Sequence, residues 1–124
     1  MHELSLAQSI VELVEEQHAR ERFARVRTVV VSVGRLSSVD PRALEFGFDV
    51  VARGTVAEGA TLAIERPPGR VFCTDCSQTV EIESQVDPCP ICASHRWVVV
   101  GGQELRVIEL EVDPCVESVG AAAR

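Results

Sequence analysis

The chain has 124 residues, of which 46% are hydrophobic, enough for one modest domain or for a small domain that carries a smaller one. Its formal net charge is −7 and all 12 basic residues are arginine, which excludes Schiff-base chemistry on lysine and argues against general binding to nucleic acid. Because acidic residues interrupt the apolar start, we expect a cytoplasmic protein that does not insert into a membrane.

An amphipathic pattern predicts a first helix over about residues 5–18. Ser5 and Gln8 have the spacing of a capping box, which would start the helix at Ser5 and leave His2 and Glu3 ahead of it. The face predicted to be buried carries Leu6, Ile10, Leu13, Val14 and Gln17.

The middle of the chain alternates between strand and helix signals. Residues 26–34 are rich in valine, as in a strand buried in a sheet. Asp40 followed by Pro41 is typical of a helix start, and Gly54 is typical of a helix stop, which predicts a helix over residues 41–53. Alternation predicts a strand over residues 61–66.

Pro67, Pro68 and Gly69 mark a boundary, after which residues 70–100 have too little apolar mass for a core of their own. Residues 104–112 alternate again and predict a long strand that returns to the first sheet, so the segment between is an insertion. The residues from Asp113 lack a periodic pattern and are predicted to be mobile.

The insertion contains a C-x2-C-x12-C-x2-C pattern, in the sequences CTDC and CPIC. Two such turns can close a tetrahedron of thiolates, the geometry of structural zinc, and a site with four thiolates leaves no open position for hydrolytic chemistry. Two disulfides or four unconnected thiols are the alternative, which a reducing compartment disfavours. The predicted ligands are Cys73, Cys76, Cys89 and Cys92.

Four other residues have candidate roles. Cys115 has no cysteine spaced to match it and is predicted to be a spare thiol. His95, three residues after Cys92, is predicted to be a surface polar residue, and the alternative is that it replaces a cysteine ligand or donates a hydrogen bond to one. Trp97 covers one side of the small module or binds a partner, and His18 is predicted to interact with the end of the first helix.

The chain has no glycine-rich phosphate loop, nucleophile elbow or helical His-Glu-x-x-His site, so we expect no enzyme. Two functions remain. One is a zinc-ribbon adapter that binds proteins, since four acids against two arginines in residues 70–100 disfavour nucleic acid. The other is nickel binding, because the Met1 amine, the His2 amide and ring and the Glu3 amide supply four nitrogen donors.

Three motifs in the same order resemble the HypA/HybF family of hydrogenase maturation proteins: MHELSLAQSIVELV, VGRLSSVDPRALEFGFDVV, and CTDC with CPIC. The resemblance covers residues 1 to about 112. It implies a nickel metallochaperone whose nickel motif falls on Met1, His2 and Glu3 and whose zinc ligands are the four paired cysteines. Asp40 matches an acid that the family places near nickel, although the sequence already uses it as a helix cap.

The resemblance also implies an α+β fold with a small three-stranded mixed sheet, two helices and an inserted zinc-ribbon domain with four cysteine ligands. The domains are then a nickel-binding part at 1–67, the ribbon at 68–102, a returning strand at 103–112 and a mobile tail at 113–124. The implied partners are a GTPase of HypB type and the large-subunit precursor of a [NiFe] hydrogenase. A homodimer is left open.

Overall fold

The protein, in a computed structural model that describes residues 2–115, has two helices and six strands. The strands form two three-stranded sheets, ordered β2–β1–β6 and β4–β3–β5, so the predicted α+β class is confirmed. Met1 and the part of the predicted tail from position 116 lie outside the described residues. The elements are α1 (His2–Glu21), β1 (Arg25–Val33), α2 (Pro41–Val51), β2 (Thr61–Glu65), β3 (Gly69–Cys73), β4 (Gln78–Ile82), β5 (Trp97–Gly101) and β6 (Leu105–Asp113).

Helix α1 is longer than the sequence predicted. It begins at His2, so the expected start at Ser5 is wrong, and it ends at Glu21. The predicted buried face is also partly wrong, because Leu13 is 39% exposed. The face that is buried carries Glu3, Ala7, Ile10, Val11 and Val14.

Helix α2 follows its sequence signals closely. The Asp40 side chain accepts a hydrogen bond from the Arg42 amide, and Pro41 occupies the first turn, as predicted. Leu44 and Phe48 are buried, and Gly54, which follows the helix, has a φ of 79°. The predicted return of the last strand is confirmed, because β6 pairs with β1 in the first sheet.

The chain divides into two compact units. The first contains the described residues up to Val31, Val39–Ala63 and the described residues from Val107 onward. The second, here called the ribbon unit, contains Ser32–Ser38 and Ile64–Arg106. The domain boundaries at 67, 102 and 112 stay a prediction. No helix within residues 2–115 has the length and apolar character needed to cross a bilayer.

The ribbon unit has a small core of its own. Leu36, Val71 and Ile82 are buried together. Val80, Trp97 and Val99 are half-buried and pack against them. With so few apolar side chains, the unit needs a further source of stability, which the four cysteines can provide when they bind a metal.

Candidate metal centres

The four paired cysteines lie together in the ribbon unit. Cys73 is the last residue of β3, and Cys76 lies in the turn that leads to β4. Cys89 and Cys92 lie in a second turn, ahead of β5. Because β5 pairs with β3, with Trp97 opposite Cys73, the two turns meet at one end of the sheet.

The two cysteine turns have the same backbone design. In the first, the amide of Ser77 donates to the carbonyl of Cys73 at 2.8 Å, and in the second the amide of Ala93 donates to the carbonyl of Cys89 at 2.7 Å. Ser77 and Ala93 both adopt left-handed conformations, with φ of 57° and 65°. Each turn is therefore tight enough for both of its sulfurs to bind the same metal ion.

The geometry of the four sulfurs fits zinc. All four Sγ atoms lie within 4.8 Å of one another, with Cys73 and Cys92 3.5 Å apart and Cys76 and Cys89 3.8 Å apart. Zinc–sulfur bonds of about 2.3 Å in a tetrahedron require sulfurs about 3.8 Å apart. Four thiolates are also the donor set typical of structural zinc, so these residues can hold the ion without a large rearrangement.

The close packing of the four thiols shifts the pKa values of two of them. Burial and hydrogen bonds with the neighbouring thiols raise the pKa of Cys76 to about 12, because both disfavour its charged thiolate. The pKa of Cys89 falls to about 7, since the backbone amide of Cys92 donates a hydrogen bond to its sulfur. A divalent cation would supply a compensating positive charge and displace the protons of the cluster.

The second candidate metal centre lies in the first unit, at the amino-terminal end of α1. Glu3 is only 8% exposed, and its Oε2 accepts a hydrogen bond of 3.0 Å from the backbone amide of Asp40. That bond is the main reason that the pKa of Glu3 is lowered to about 2, so its carboxyl is ionised at neutral pH. The exposed His2 ring lies beside it, with Nδ1 3.9 Å from Glu3 Oε2.

The helix start determines where the backbone amides of these residues lie. Because α1 begins at His2, the amides of His2 and Glu3 belong to its first turn, whose N–H groups point out of the amino-terminal end of a helix. No local pattern could reveal the contact between Glu3 and Asp40, which lie 37 positions apart, although the family resemblance placed Asp40 near the nickel motif. Asp40 acts as the predicted cap of α2, and its amide adds the link to Glu3.

Two further candidates lie in the ribbon unit. Trp97 donates from its indole to the Asp87 carbonyl and packs on the ribbon core, as predicted for a residue that covers the module. His95 lies on the surface with Nε2 3.3 Å from the Val86 carbonyl. Both side chains therefore contact the loop that leads to the second cysteine turn.

The last two candidates lie in the first unit. The His18 ring contacts the Phe23 ring edge-on, with the ring centroids 5.0 Å apart. Cys115 follows β6 and lies outside the cysteine cluster. The four-sulfur cluster includes neither residue.

An α+β unit joined to a four-cysteine ribbon defines a small metal-handling protein. Residues 1–112 match the family model described as hydrogenase/urease nickel incorporation, metallochaperone, hypA. The chain belongs to the HypA family. These proteins are maturation factors and not enzymes, and their role in nickel incorporation implies contacts with other components of hydrogenase maturation.

Relatives and solved structures agree with this membership. The hydrogenase maturation factors HypA of Alkalilimnicola ehrlichii and Azotobacter chroococcum are 48% and 49% identical over 113 residues, which are 91% of this chain and 100% of each relative. The solution structure of the Ni metallochaperone HypA from Helicobacter pylori is 27% identical with a TM-score of 0.64, covering 92% of this chain and 99% of that one. A second solution structure of a HypA protein has a TM-score of 0.66 at 27% identity and covers 90% and 96%.

Proposed function

We propose that this chain carries Ni(II) at its amino terminus and delivers it to the large-subunit precursor of a [NiFe] hydrogenase. Nickel is the cargo, bound by the Met1 amine, the His2 amide and ring and the Glu3 amide. The observation that carries the proposal is the accessibility of the His2 side chain, which is 54% exposed at the amino-terminal end of α1. Nickel prefers tetragonal nitrogen donors of this kind.

The side chain of Glu3 has a different role from its amide. Its carboxylate is occupied by the Asp40 amide at 3.0 Å, so it anchors the first turn of α1 to the start of α2. The exposed His2 ring stays accessible to the ion. Nickel binding to both amides would require the first turn to unwind locally, and the Glu3 anchor limits that change to the terminal residues.

Zinc is the resident metal of the ribbon unit in this proposal, held by Cys73, Cys76, Cys89 and Cys92. The spacing of their sulfurs favours a bound divalent cation. Binding free energies on the order of 10–16 kcal/mol in small zinc modules exceed what a core of three buried side chains can supply. Zinc would supply structure here, since four thiolates fill its coordination sphere.

Nickel release follows from the chemistry of its donors. Protons compete with the metal for the amine, the imidazole and the amides, so release is favoured by lower pH and by a partner that displaces the ligands. A GTPase of HypB type is the proposed partner that couples nucleotide hydrolysis to transfer. This chain shows no phosphate-binding loop in its sequence, so the hydrolysis would occur on that partner.

Native mass spectrometry of the full chain with added nickel tests the proposal. We expect one zinc that survives a mild chelator and one nickel that exchanges. A transfer assay, with the nickel-loaded chain and an apo large-subunit precursor, should move nickel to the precursor faster in the presence of the GTPase and GTP. Nickel found only in place of zinc, or no transfer, would contradict a carrier and favour a zinc-ribbon adapter.

A further inference from the structure

Strand β6 forms an open edge of its sheet. The sheet order is β2–β1–β6, and within residues 2–115 no strand pairs with the outer side of β6. An open edge offers its backbone N–H and C=O groups to another extended segment, so soluble proteins commonly cover such an edge.

The end of β6 shows which of its backbone groups face outward. The carbonyl of Asp113 accepts a hydrogen bond of 2.8 Å from the amide of Ala24, which precedes β1, so the backbone of Asp113 faces β1. The backbone groups of successive residues point to opposite sides of a strand. The N–H and C=O of Val112 therefore face the open edge.

A groove of about 310 Å³ lies along this edge, between β6 and α1. Its helix side is a single row of residues spaced by four, and the strand side includes three half-buried apolar residues. The row is Leu13, Gln17 and Glu21, and the strand residues are Val107, Leu110 and Val112. We call this feature the α1–β6 groove.

Two large apolar side chains are exposed in the α1–β6 groove. Leu13 is 39% exposed and Ile108 is 48% exposed. The helical periodicity predicted that Leu13 is buried, and within residues 2–115 no segment covers it. Single exposed apolar residues are ordinary, but two that line one groove beside an open strand edge favour a further segment that covers both.

The chain leaves β6 at one end of this groove. Arg25 and Arg27 hold the Asp113 carboxylate, with nitrogen–oxygen distances of 3.5 Å and 2.7 Å, and Pro114 follows, a residue that favours a turn. An extended segment of residues 116–124 can span about 30 Å, whereas β6 from Val107 to Val112 spans about 17 Å. The segment is therefore long enough to return along the whole groove.

The sequence of residues 116–124, VESVGAAAR, suits a narrow apolar groove. Alternate residues of an extended segment share a face, so Val119, Ala121 and Ala123 lie on one side. Ser118 and Arg124 lie on the other. One face is thus small and apolar, and the opposite face is polar, as a strand between a groove and solvent requires.

We propose that residues 116–124 fold back antiparallel to β6 and cover the α1–β6 groove as a fourth strand, with Val119 facing α1. This placement replaces the expectation of a mobile tail. The family match ends at residue 112, so the covering strand is an addition to the family's fold. It closes the β6 edge to strands of other proteins.

Hydrogen exchange of the full chain, followed by NMR, tests the proposal against a chain that stops after Cys115. The shortened chain keeps every described residue. Its Val112 amide should exchange at least about tenfold faster, because the bond to the covering strand is lost. The Ala24 amide, which is bonded to Asp113, should exchange equally in both chains and is the internal control. The methyl resonances of Leu13 and Ile108 should shift.

Two substitutions in the full chain test the assigned face. Val119→Asp places a carboxylate in the apolar groove beside Glu21, so it should reproduce the fast Val112 exchange of the shortened chain. Ser118→Asp adds the same charge one residue earlier, on the face turned to solvent. It is the matched control and should keep Val112 exchange within about threefold of the native rate.

Dilution separates a contact within one chain from a contact with another molecule. The Val112 exchange rate should be the same at about 20 µM and about 500 µM protein, because the covering strand is part of the same chain. A rate that depends on concentration would overturn the proposal.

Two other outcomes would also overturn it. Equal Val112 exchange in the full and shortened chains would leave the groove to a strand of another protein. Equal effects of the two aspartates would contradict the assigned face. Far-ultraviolet circular dichroism should be the same in all of these proteins, so that fast exchange at Val112 with an unchanged Ala24 amide reports loss of the covering strand and not of the fold.

Discussion

The Oε2 atom of Glu3, in the first turn of α1, accepts a 3.0 Å hydrogen bond from the backbone amide of Asp40, the residue that caps α2. The contact joins the start of one helix to the start of the next, and it lies directly beside the proposed nickel ligands. Glu3 is the buried charged residue among those described, and the Asp40 amide compensates part of the cost of that burial.

This contact predicts a pH dependence of stability. The pKa of Glu3 is lowered from 4.5 to about 2 in the folded chain, chiefly by the Asp40 amide. A group with a lowered folded pKa stabilises the fold above its unfolded pKa, and this contribution is lost as the pH falls through the folded pKa. Glu3→Gln should therefore be less stable than the wild type at about pH 6, and the difference should shrink between pH 4.5 and about 2.

Urea unfolding followed by far-ultraviolet circular dichroism measures this difference, because the signal reports the helices of the first unit. Glu12→Gln is a suitable control, since Glu12 is exposed on the same helix. A stability gap between Glu3→Gln and wild type that stays constant down to about pH 2 would contradict the anchoring role of Glu3.

The sequence predicts those elements whose formation depends on residues within one turn of each other. Asp40 and Pro41 start α2 because a cap and a fixed φ act within one turn. The spacing of the cysteines predicts the four-sulfur cluster, because two residues between the members of each pair form a short turn that places their sulfurs side by side. The start of α1 was mispredicted at Ser5, since the first turn is held by a residue 37 positions away and not by the capping box.

One member of the ribbon core, Leu36, cannot be assigned to it from the sequence, for the same reason. Leu36 precedes α2, far from the segment 68–102, yet it packs with Val71 and Ile82. Its amide donates to the Gly102 carbonyl, and its carbonyl accepts from the Gln85 side chain. No periodic pattern assigns an isolated leucine between a strand and a helix to a core formed by later residues.

Gly102 is predicted to tolerate no side chain. Its φ is 90°, and an added Cβ would lie 2.6 Å from the Gly69 Cα and 2.7 Å from the Pro68 carbonyl oxygen. Because both the backbone conformation and the clash oppose alanine, Gly102→Ala should lower the free energy of unfolding of the ribbon unit by about 2–4 kcal/mol. Denaturant unfolding followed by Trp97 fluorescence measures it, since Trp97 packs on the ribbon core.

The neighbouring glycine provides the control for that measurement. A Cβ at Gly101 would make only ordinary contacts, 3.7 Å and 3.9 Å from Arg70 side-chain atoms. Gly101→Ala should therefore change the free energy of unfolding by no more than about 1 kcal/mol. Equal effects of the two substitutions would show that the close approach of the Gly69 backbone does not limit position 102.

Zinc content should depend on the four clustered cysteines and not on the fifth. Cys76→Ser removes one of four sulfurs that lie within 4.8 Å of one another, so it should release the metal and unfold the ribbon unit. Cys115→Ser should leave one zinc per chain, because Cys115 lies outside the cluster. Metal analysis of both variants, with Trp97 fluorescence as the folding readout, decides the assignment. Zinc loss from Cys115→Ser would contradict it.

The nickel prediction depends on the chain starting at Met1, because the amine ligand exists only there. An extension of two residues ahead of Met1 converts that amine to an amide and moves the His2 ring out of the chelate. Helix α1 would lose little from the extension, since its buried residues begin at Glu3 and the added residues precede them. Nickel binding and helix stability should therefore respond differently to the same change.

We expect His2→Ala and the two-residue extension each to abolish tight nickel binding while zinc content and the helical circular dichroism stay unchanged. The His2 ring is exposed, so its loss removes a ligand without opening the core. Calorimetry with nickel, together with the absorption bands of planar nitrogen coordination, should be measured on the native chain and both variants. Glu12→Gln is again the matched control and should bind nickel as the native chain does. Equal nickel affinity in all of these proteins would show that His2 is only the first residue of α1, and the proposed carrier would lose its cargo site.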